Sequence, residues 1–254
     1  MSDPDISIVV PARNESAVLR ALVAEIFDAF AGVDARIEVI VVDDGSDDGS
    51  AALLSELARA HPGLRPLRHD RPAGQSAAIH SGVLAARAPV VCTMDGDGQN
   101  PPAELPRLAR RLAAASGPTL VAGQRRRRRD TASKRLASRA ANRIRAAVLG
   151  DATADTGCGL KAFRRDDYLD LPYFDHMHRY LPALFLRAGA EVVHVEVGDR
   201  PRMGGRSNYT NFGRAMVGAV DLLGVAWLIR RRKRERARPI EAAAAPVAAT
   251  GTDA

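Results

Sequence analysis

Three short apolar runs, each closed by a polar or acidic turn, constrain this chain more than any other feature. Residues 6–11, 37–42 and 90–94 are rich in β-branched side chains. They are continuous rather than alternating, the pattern of strands covered on both faces. Between them the spacing changes. Val18, Leu22, Ile26 and Phe30 fall on one helical face, and a second helix is predicted over 50–59. A third strand fits 64–68, and 74–86 reads as a helix of small residues. Strands alternating with helices make an α/β fold with a mostly parallel sheet, whose ligands bind at the strand C-terminal ends.

The alternation continues. A helix is predicted over 102–115, a strand at 119–122 and a helix over 133–149; residues 151–167 are rich in turn formers. Helical signals return at 175–187, followed by a strand at 191–197. The last stretch, 239–254, is low-complexity Ala, Thr and Pro, and disorder is expected there.

Composition narrows the function classes. The apolar fraction of 46% excludes wholesale disorder. Two cysteines, Cys92 and Cys158, cannot form a disulfide framework and lack zinc spacing, which favours a reducing compartment. The opening MSDPDIS has neither a positive nor an apolar signal region, so no secretory signal is expected. The net charge of +7 is concentrated in two places. Residues 125–145 carry a local +9 and residues 230–238 a local +6, which leaves −8 for the rest of the chain. Such patches suit phosphates or an anionic membrane surface; a solvated Arg-rich surface is the blander reading.

Residues 212–229 are apolar but interrupted. As a helix they would span only about 27 Å, short for a bilayer core of roughly 30 Å. Arg214, Gly218, Asp221 and Gly224 share one narrow stripe. Two charges in so short a segment disfavour a spanning helix. Two readings remain open. One is a helix in the membrane interface, with Trp227 at headgroup level and the basic run on phosphates. The other is a helix packed on its own domain.

The polar strand ends carry the chemistry. Asp95 and Asp97 follow a buried strand, and with Gln99 they suit a hard divalent cation that keeps positions open for phosphate oxygens. Alone, D-x-D is a common polar turn. Asp43 and Asp44 end another buried strand, where a carboxylate can hold a ribose hydroxyl or a base edge. In the same turn Asp48 or Ser50 can serve as a helix N-cap. Pro11, Asn14 and Glu15 occupy the matching position after the first strand. His176 and His178 lack a third ligand at metal spacing, and Cys158 beside Gly157 reads as packing.

The ordered series VPARNE, VVDDGSDDGS, AGQSAAIHSG and TMDGDGQNPP resembles the family-2 inverting glycosyltransferases of GT-A fold, over about residues 5–210. AGQR at 122–125, SKRLASRAAN, DTGCGLKAFRR and RPRMGGRSNY at 200–209 are similar to the dolichol-phosphate mannose synthase and bacterial polyprenyl-phosphate glycosyltransferase branch. The resemblance implies a nucleotide-sugar donor held by Pro11, Asn14, Glu15, Asp43, Asp44, Gly74 and Asp95. It implies Mg2+ or Mn2+ on Asp95, Asp97 and Gln99, with Asp97, Arg125 and Arg202 closest to the chemistry. It implies a polyprenyl phosphate acceptor seated by Arg125, Lys134, Arg135, Ser138 and Ser207, with His178 and Arg179 near the acceptor mouth. The expected location is the cytoplasmic face of the inner membrane, peripheral or monotopic.

Three positions depart from the branch pattern: Asn208 stands where Lys is usual, Gln124 where Ser is common, and Arg13 where Tyr or Phe is frequent. The expected organisation is a GT-A domain over 1–210, an amphipathic polybasic segment over 211–238 and a tail over 239–254. A family-2 enzyme acting on a sugar or protein hydroxyl would need a carboxylate base near its acceptor, and no convincing site for one follows Asp97. A nucleic-acid-binding protein would account for the Arg patches. It would leave the paired aspartates unexplained, and at 4% aromatics the chain has few bases for stacking, so no nucleic-acid partner is expected.

Overall fold

The computed structural model describes residues 3–125, 145–151, 153–201 and 211–231, with the backbone alone for 211–217. Seven strands form one sheet: β1 Ile6–Ala12, β2 Ile37–Asp43, β3 Leu64–Arg68, β4 Val90–Thr93, β5 Thr119–Arg125, β6 Lys161–Arg164 and β7 Glu191–Val197. The helices are α1 Ser16–Phe30, α2 Ser50–Ala60, α3 Gln75–Ala85, α4 Leu105–Ala113, α5 Arg165–Leu169, α6 Leu181–Arg187 and α7 Asn211–Arg230. Residues 145–149 are also helical.

The strand order is β3-β2-β1-β4-β6-β5-β7. All neighbours pair in parallel except β6, which runs antiparallel between β4 and β5. The sequence-based expectation of a mostly parallel sheet holds, and β6 is the strand it missed. That strand is four residues long and begins with a lysine, inside a segment read as turns.

Alternate residues of each strand feed two cores. Ile8, Val10, Val39, Val41, Cys92 and Val121 face α1, α2 and α4. Val9, Ile40, Val42, Val91, Leu120 and Phe163 face α3, α5, α6 and α7. The result is a three-layer α/β/α sandwich. The stripe of α1 buries Val18, Leu22, Ile26 and Phe30, the face its spacing predicts. Each such side chain withdrawn from water contributes about 2 kcal/mol.

Two helical expectations are corrected. The 102–115 segment divides into a 3-10 turn at Pro102–Glu104 and α4. The 175–187 segment divides into a turn at Met177–Arg179 and α6. His176 has φ +63° and interrupts the helix, while Pro182 is tolerated because it lies in the first turn of α6.

The segment 212–229 is indeed helical, as α7, and one side of it packs on the domain. Val225 and Ala226 are buried in the second core, with Leu222 and Ile229 against it. Arg187 donates to the Leu228 and Arg231 carbonyls, at 2.8 and 3.2 Å, and so satisfies acceptors at the helix C-terminus. Val220, Leu223 and Trp227 face outward on the other side. Among the described residues, no helix is long and apolar enough to cross a membrane.

At the strand N-terminal rim, Glu38 is buried and joins four elements. It accepts from Ser7 Oγ at 2.6 Å, the Arg87 N–H at 2.7 Å, Arg65 Nη1 at 2.6 Å and Arg87 Nε at 3.2 Å. Burial pushes its carboxyl up, but these donors outweigh that and hold it below the ordinary 4.5. Removing the partner of two arginines at a buried site costs about 3 kcal/mol, so Glu38→Ala is expected to lose that much in urea unfolding. Because the folded value is depressed, the charge contributes fully above pH 4.5 and is lost as pH falls through the folded value. The stability gap between wild type and Glu38→Gln therefore narrows below pH 4.5.

Candidate active site

Strand order reverses between β1 and β4. The chain proceeds from β1 through β2 to β3 on one side, then crosses to β4 on the other. Loops that leave the C-terminal ends of β1, β2 and β4 therefore diverge around one crevice, the position where open α/β sheets bind ligands. Asn14, Glu15, Asp43, Asp44, Asp95 and Asp97 all lie on those loops.

The acidic loop after β2 is largely structural. Asp43 accepts the Ser46 N–H at 3.0 Å and Arg68 Nη1 at 3.0 Å. Asp48 accepts the Ser16 N–H at 2.9 Å, the Ser50 N–H at 3.1 Å and Ser50 Oγ at 2.6 Å, so one carboxylate caps the starts of both α1 and α2. These bonds overcome burial and hold its pKa down at about 2. Asn14 adopts φ +56°, which Asn tolerates. Its N–H donates to Ser46 Oγ at 2.9 Å, and its Oδ1 accepts the Asp47 N–H at 3.0 Å.

Asp44 is a clamp. Its Oδ1 lies 2.8 Å from His69 Nδ1 and accepts the Ala73 N–H at 2.8 Å, while Oδ2 accepts the Gly74 N–H at 2.8 Å. His69 Nε2 lies 2.9 Å from Ser81 Oγ. Burial raises the Asp44 carboxyl, yet His69 and the two backbone donors bring it below its ordinary value. Asp43 thus fixes its own turn through Ser46 and Arg68, and Asp44 fixes the loop that leads into α3.

The loop after β4 holds the paired carboxylates. The Asp95 N–H donates to Asn100 Oδ1 at 3.0 Å, and Asp97 Oδ1 accepts the Gln99 N–H at 3.1 Å. Gln75, at the head of α3, donates through Nε2 to Asp95 Oδ1 at 2.8 Å. Two glycines permit this crowding. A Cβ on Gly96 would lie 2.7 Å from the Pro11 carbonyl oxygen, and one on Gly159 would lie 2.4 Å from the Asp95 carboxyl carbon. Burial first, then repulsion from Asp97, pushes the Asp95 carboxyl up to about 6. A cation would relieve that repulsion, so Asp95 and Asp97 fit a hard divalent ion. Among the described residues, no group of three or more His, Cys, Asp or Glu side chains is placed to hold a metal. Further ligands would come from Gln99, water or a bound phosphate.

Lys161 was not singled out from the sequence. It is buried at the start of β6 and donates to the Cys158 carbonyl. Burial lowers its pKa, against which Cys158, Asp95 and Asp155 act in the opposite sense. The signal available beforehand was a lone lysine in DTGCGLKAF, hidden by the turn formers around it. Cys158 itself packs in the core, with its thiol raised to about 11 by burial, as the packing reading required.

Arg125, expected as an acceptor seat, is built into an ion pair. Nε and Nη2 donate to Asp155 at 2.7 and 2.9 Å, and Nη1 lies 3.9 Å from Asp199. Gly74 and Gln75 are overlain by the 175–178 loop. His178 Nδ1 lies 2.7 Å from Ser76 Oγ, and burial drives its pKa down to about 3, so the ring is neutral. The Arg200 N–H donates to the Gln99 carbonyl at 3.0 Å, which ties the root of the following loop to the Asp97 turn. Lys134, Arg135, Ser138, Arg202 and Ser207 lie outside the described residues, as does most of the helix expected over 133–149.

A switch-point crevice with paired carboxylates on an α/β/α sandwich is a ligand site of an open α/β fold, and comparison with known proteins gives the family. Residues 7–171 match the model of glycosyl transferase family 2, and the chain belongs to that family. It is 35% identical over 205 residues to the undecaprenyl-phosphate 4-deoxy-4-formamido-L-arabinose transferase of Aeromonas hydrophila, covering 80% of this chain and 62% of that protein. It is 35% identical over 206 residues to the transferase of the same description from Pseudomonas paraeruginosa, covering 81% and 60%. The chain thus spans under two thirds of the length of these curated relatives.

Among solved structures it resembles a Pyrobaculum calidifontis mannosyltransferase in complex with GDP-Man and Mn2+ (TM-score 0.63, 19% identity, 94% of this chain and 67% of that one). It also resembles glucosyl-3-phosphoglycerate synthase from Mycobacterium tuberculosis (TM-score 0.62, 21% identity, 91% and 81%). The fold is GT-A, and the resemblance read from the motifs holds for the family.

Asp97→Ala is the direct test of the carboxylate pair. Titration calorimetry with Mn2+ and UDP or GDP is expected to show metal-dependent nucleotide binding in wild type and its loss in the variant. The thermal midpoint should stay within a few degrees, because Asp97 sits on a strand-end loop outside both cores. Equal Mn2+-dependent affinity in the two proteins would remove Asp97 from the site.

Proposed function

We propose that this chain carries the catalytic unit of an inverting glycosyltransferase that moves one sugar from a nucleotide-sugar, GDP-mannose or a UDP-sugar, to a polyprenyl phosphate. The observation that carries the reading is the Asp95–Asp97 pair at the switch point, with Asp95 pushed up to about 6. The names of the relatives support the acceptor class.

The chemistry follows from the charges. An oxygen of the acceptor phosphate attacks the anomeric carbon, and the bond from that carbon to the donor's β-phosphate oxygen breaks. The nucleoside diphosphate leaves from the opposite face, so the centre inverts. The acceptor is ionised at neutral pH and needs no general base; it needs a cationic seat. A Mg2+ or Mn2+ ion held by Asp95, Asp97 and Gln99 would offset charge on the departing diphosphate.

The residues of the chain supply the rest. Asp44 fixes Ala73 and Gly74, so that Gln75 and the N-terminus of α3 face the crevice, while Pro11, Asn14 and Glu15 line its β1 side. Arg202, just beyond the tethered Arg200, is placed by sequence to fork onto the diphosphate. Lys134, Arg135, Ser138 and Ser207 would seat the acceptor phosphate. Arg125 is paired with Asp155, so any part it takes in seating the acceptor would draw on its remaining donor, Nη1.

Incubation with a panel of nucleotide-sugars and undecaprenyl phosphate, read by mass spectrometry, should yield one glycolipid, and none with free prenol. Lys134→Ala/Arg135→Ala is expected to raise the acceptor KM at least tenfold with little change in donor KM. Transfer to prenol or to a sugar hydroxyl instead would redirect the acceptor class.

The proposed location is the cytoplasmic membrane surface. Val220, Leu223 and Trp227 recur along the outer side of α7, with relative exposures of 67%, 71% and 58%, next to the basic run from Arg230. Each basic residue near an anionic surface is worth about 1 kcal/mol. Leu223→Ser/Trp227→Ser should cut sedimentation with phosphatidylglycerol vesicles about tenfold, at high salt as well as low. Neutralising 230–234 should instead weaken binding mainly at low salt. Unchanged binding in both variants would overturn the assignment.

A further inference from the structure

The α7 helix does more than pack. Asp221, one of the two charges that break its apolar run, points at the domain: its Oδ2 lies 3.0 Å from His176 Nδ1. His176 is the residue in the left-handed region at φ +63°, a conformation that is strained outside glycine and persists only when the surroundings enforce it. Two groups enforce it here. The His176 N–H donates to Asp175 Oδ1 at 2.7 Å, and the ring is held by Asp221. Tyr180, closing the same loop, donates from its hydroxyl to the Gly218 carbonyl at 3.2 Å, a second tie to α7.

What the strained loop presents is the site. Two residues past His176, the His178 N–H donates to Ser76 Oγ at 3.2 Å, and the His178 ring meets the same hydroxyl at 2.7 Å. Asp175 Oδ1 lies 3.5 Å from where a Cβ on Gly74 would sit. Gly74 is held by Asp44, and Gln75 by Asp95. Hydrogen bonds joined by one- or two-residue steps of backbone therefore connect α7, through the 175–178 loop, to the head of α3 and the Asp95 carboxylate.

We infer that Asp221 is a positioning residue for transfer: through His176 it holds the 175–178 loop over the start of α3, and α7 thereby belongs to the catalytic unit. The inference rests on the glycosyltransferase reading only for its kinetic readout. It predicts that α7 can lose its grip on the site without losing the membrane, because the outward Val220, Leu223 and Trp227 row is separate from Asp221.

The test uses the full chain. Asp221→Ala should lower kcat about tenfold and raise donor KM, while binding to phosphatidylglycerol vesicles stays at the wild-type level. Asp221→Asn keeps an acceptor oxygen for the imidazole and should recover most of the loss. Asp221→Ala/His176→Ala should be no worse than either single change, because the two act as a unit. Ala219→Ser, at an exposed position of the same helix outside the Val220, Leu223 and Trp227 row, should leave kcat and KM unchanged.

Hydrogen exchange over residues 73–80 and 174–180 reads the coupling without any substrate and should speed about tenfold in Asp221→Ala. Faster exchange with no glycolipid from the wild-type chain would sink the transfer reading and leave the coupling standing. Wild-type kcat, KM and exchange in Asp221→Ala would overturn the inference. So would equal losses in Asp221→Ala and Ala219→Ser, which would mean general destabilisation of the helix. Should Asp221→Ala fail to fold, His176→Ala carries the same comparison.

Discussion

A parallel sheet buried on both faces can offer polar groups only at its rims, and the rest of this molecule follows from that restriction. β1, β2 and β4 feed apolar side chains alternately into two cores. Chemistry is thereby confined to the strand ends. The two rims then do different work. At the N-terminal rim, Glu38 is saturated by Ser7, Arg65 and Arg87 and serves cohesion. At the C-terminal rim, loops diverge at the switch between β1 and β4, and glycines let them approach closely enough for Asp95 to sit against the Gly159 backbone.

The parts legible in the sequence are those whose physics is local. Continuous β-branched runs announced β1, β2 and β4, and the 3.6-residue stripe announced α1. D-x-D after a buried strand put Asp95 and Asp97 at the crevice without any knowledge of strand order. The parts that were not legible depend on partners far along the chain. Asp44 reads from the sequence as a ligand-binding carboxylate, but its bonds to His69, Ala73 and Gly74, 25 to 30 residues away, are beyond any local pattern. Asp48 was recognisable as a cap for α2, but nothing near it revealed that it also caps α1. Lys161 escaped for a related reason: a charge that opens a four-residue strand resembles a loop, and only its burial shows otherwise.

The C-terminal segment shows how one apolar run can satisfy two readings. Periodicity placed Asp221 on a narrow stripe with Gly218, and its charge counted against a spanning helix. These two residues are directed at the domain, where Asp221 meets His176 and the Gly218 carbonyl meets Tyr180. Val225 and Ala226 bury beside it, and Val220, Leu223 and Trp227 stay outside. A helix with one side in the core and an apolar row outward carries a low net amphipathic signal. That is why the sequence could not choose between packing and interface.

Charge distribution ties these observations to the proposed chemistry. Outside its two basic patches the chain carries −8, which by itself would repel a nucleotide diphosphate. The structure sorts that acidity. Asp43 is countered by Arg68, Asp44 by His69 and two backbone donors, Asp48 by helix N-termini, and Asp155 by Arg125. Against this background the Asp95–Asp97 pair differs, since the Asp95 carboxyl is raised by burial and then by its neighbour, even with Lys161 and Arg125 nearby. A cation is the species that would turn this one repulsive pair into an attractive site for phosphate. Under the proposed reading, the basic run that begins at Arg125 would answer the charge of the acceptor. The carboxylate pair follows β4 and Arg125 ends β5, with the antiparallel β6 between them, so two anions would be drawn to one rim of the sheet from separate strands.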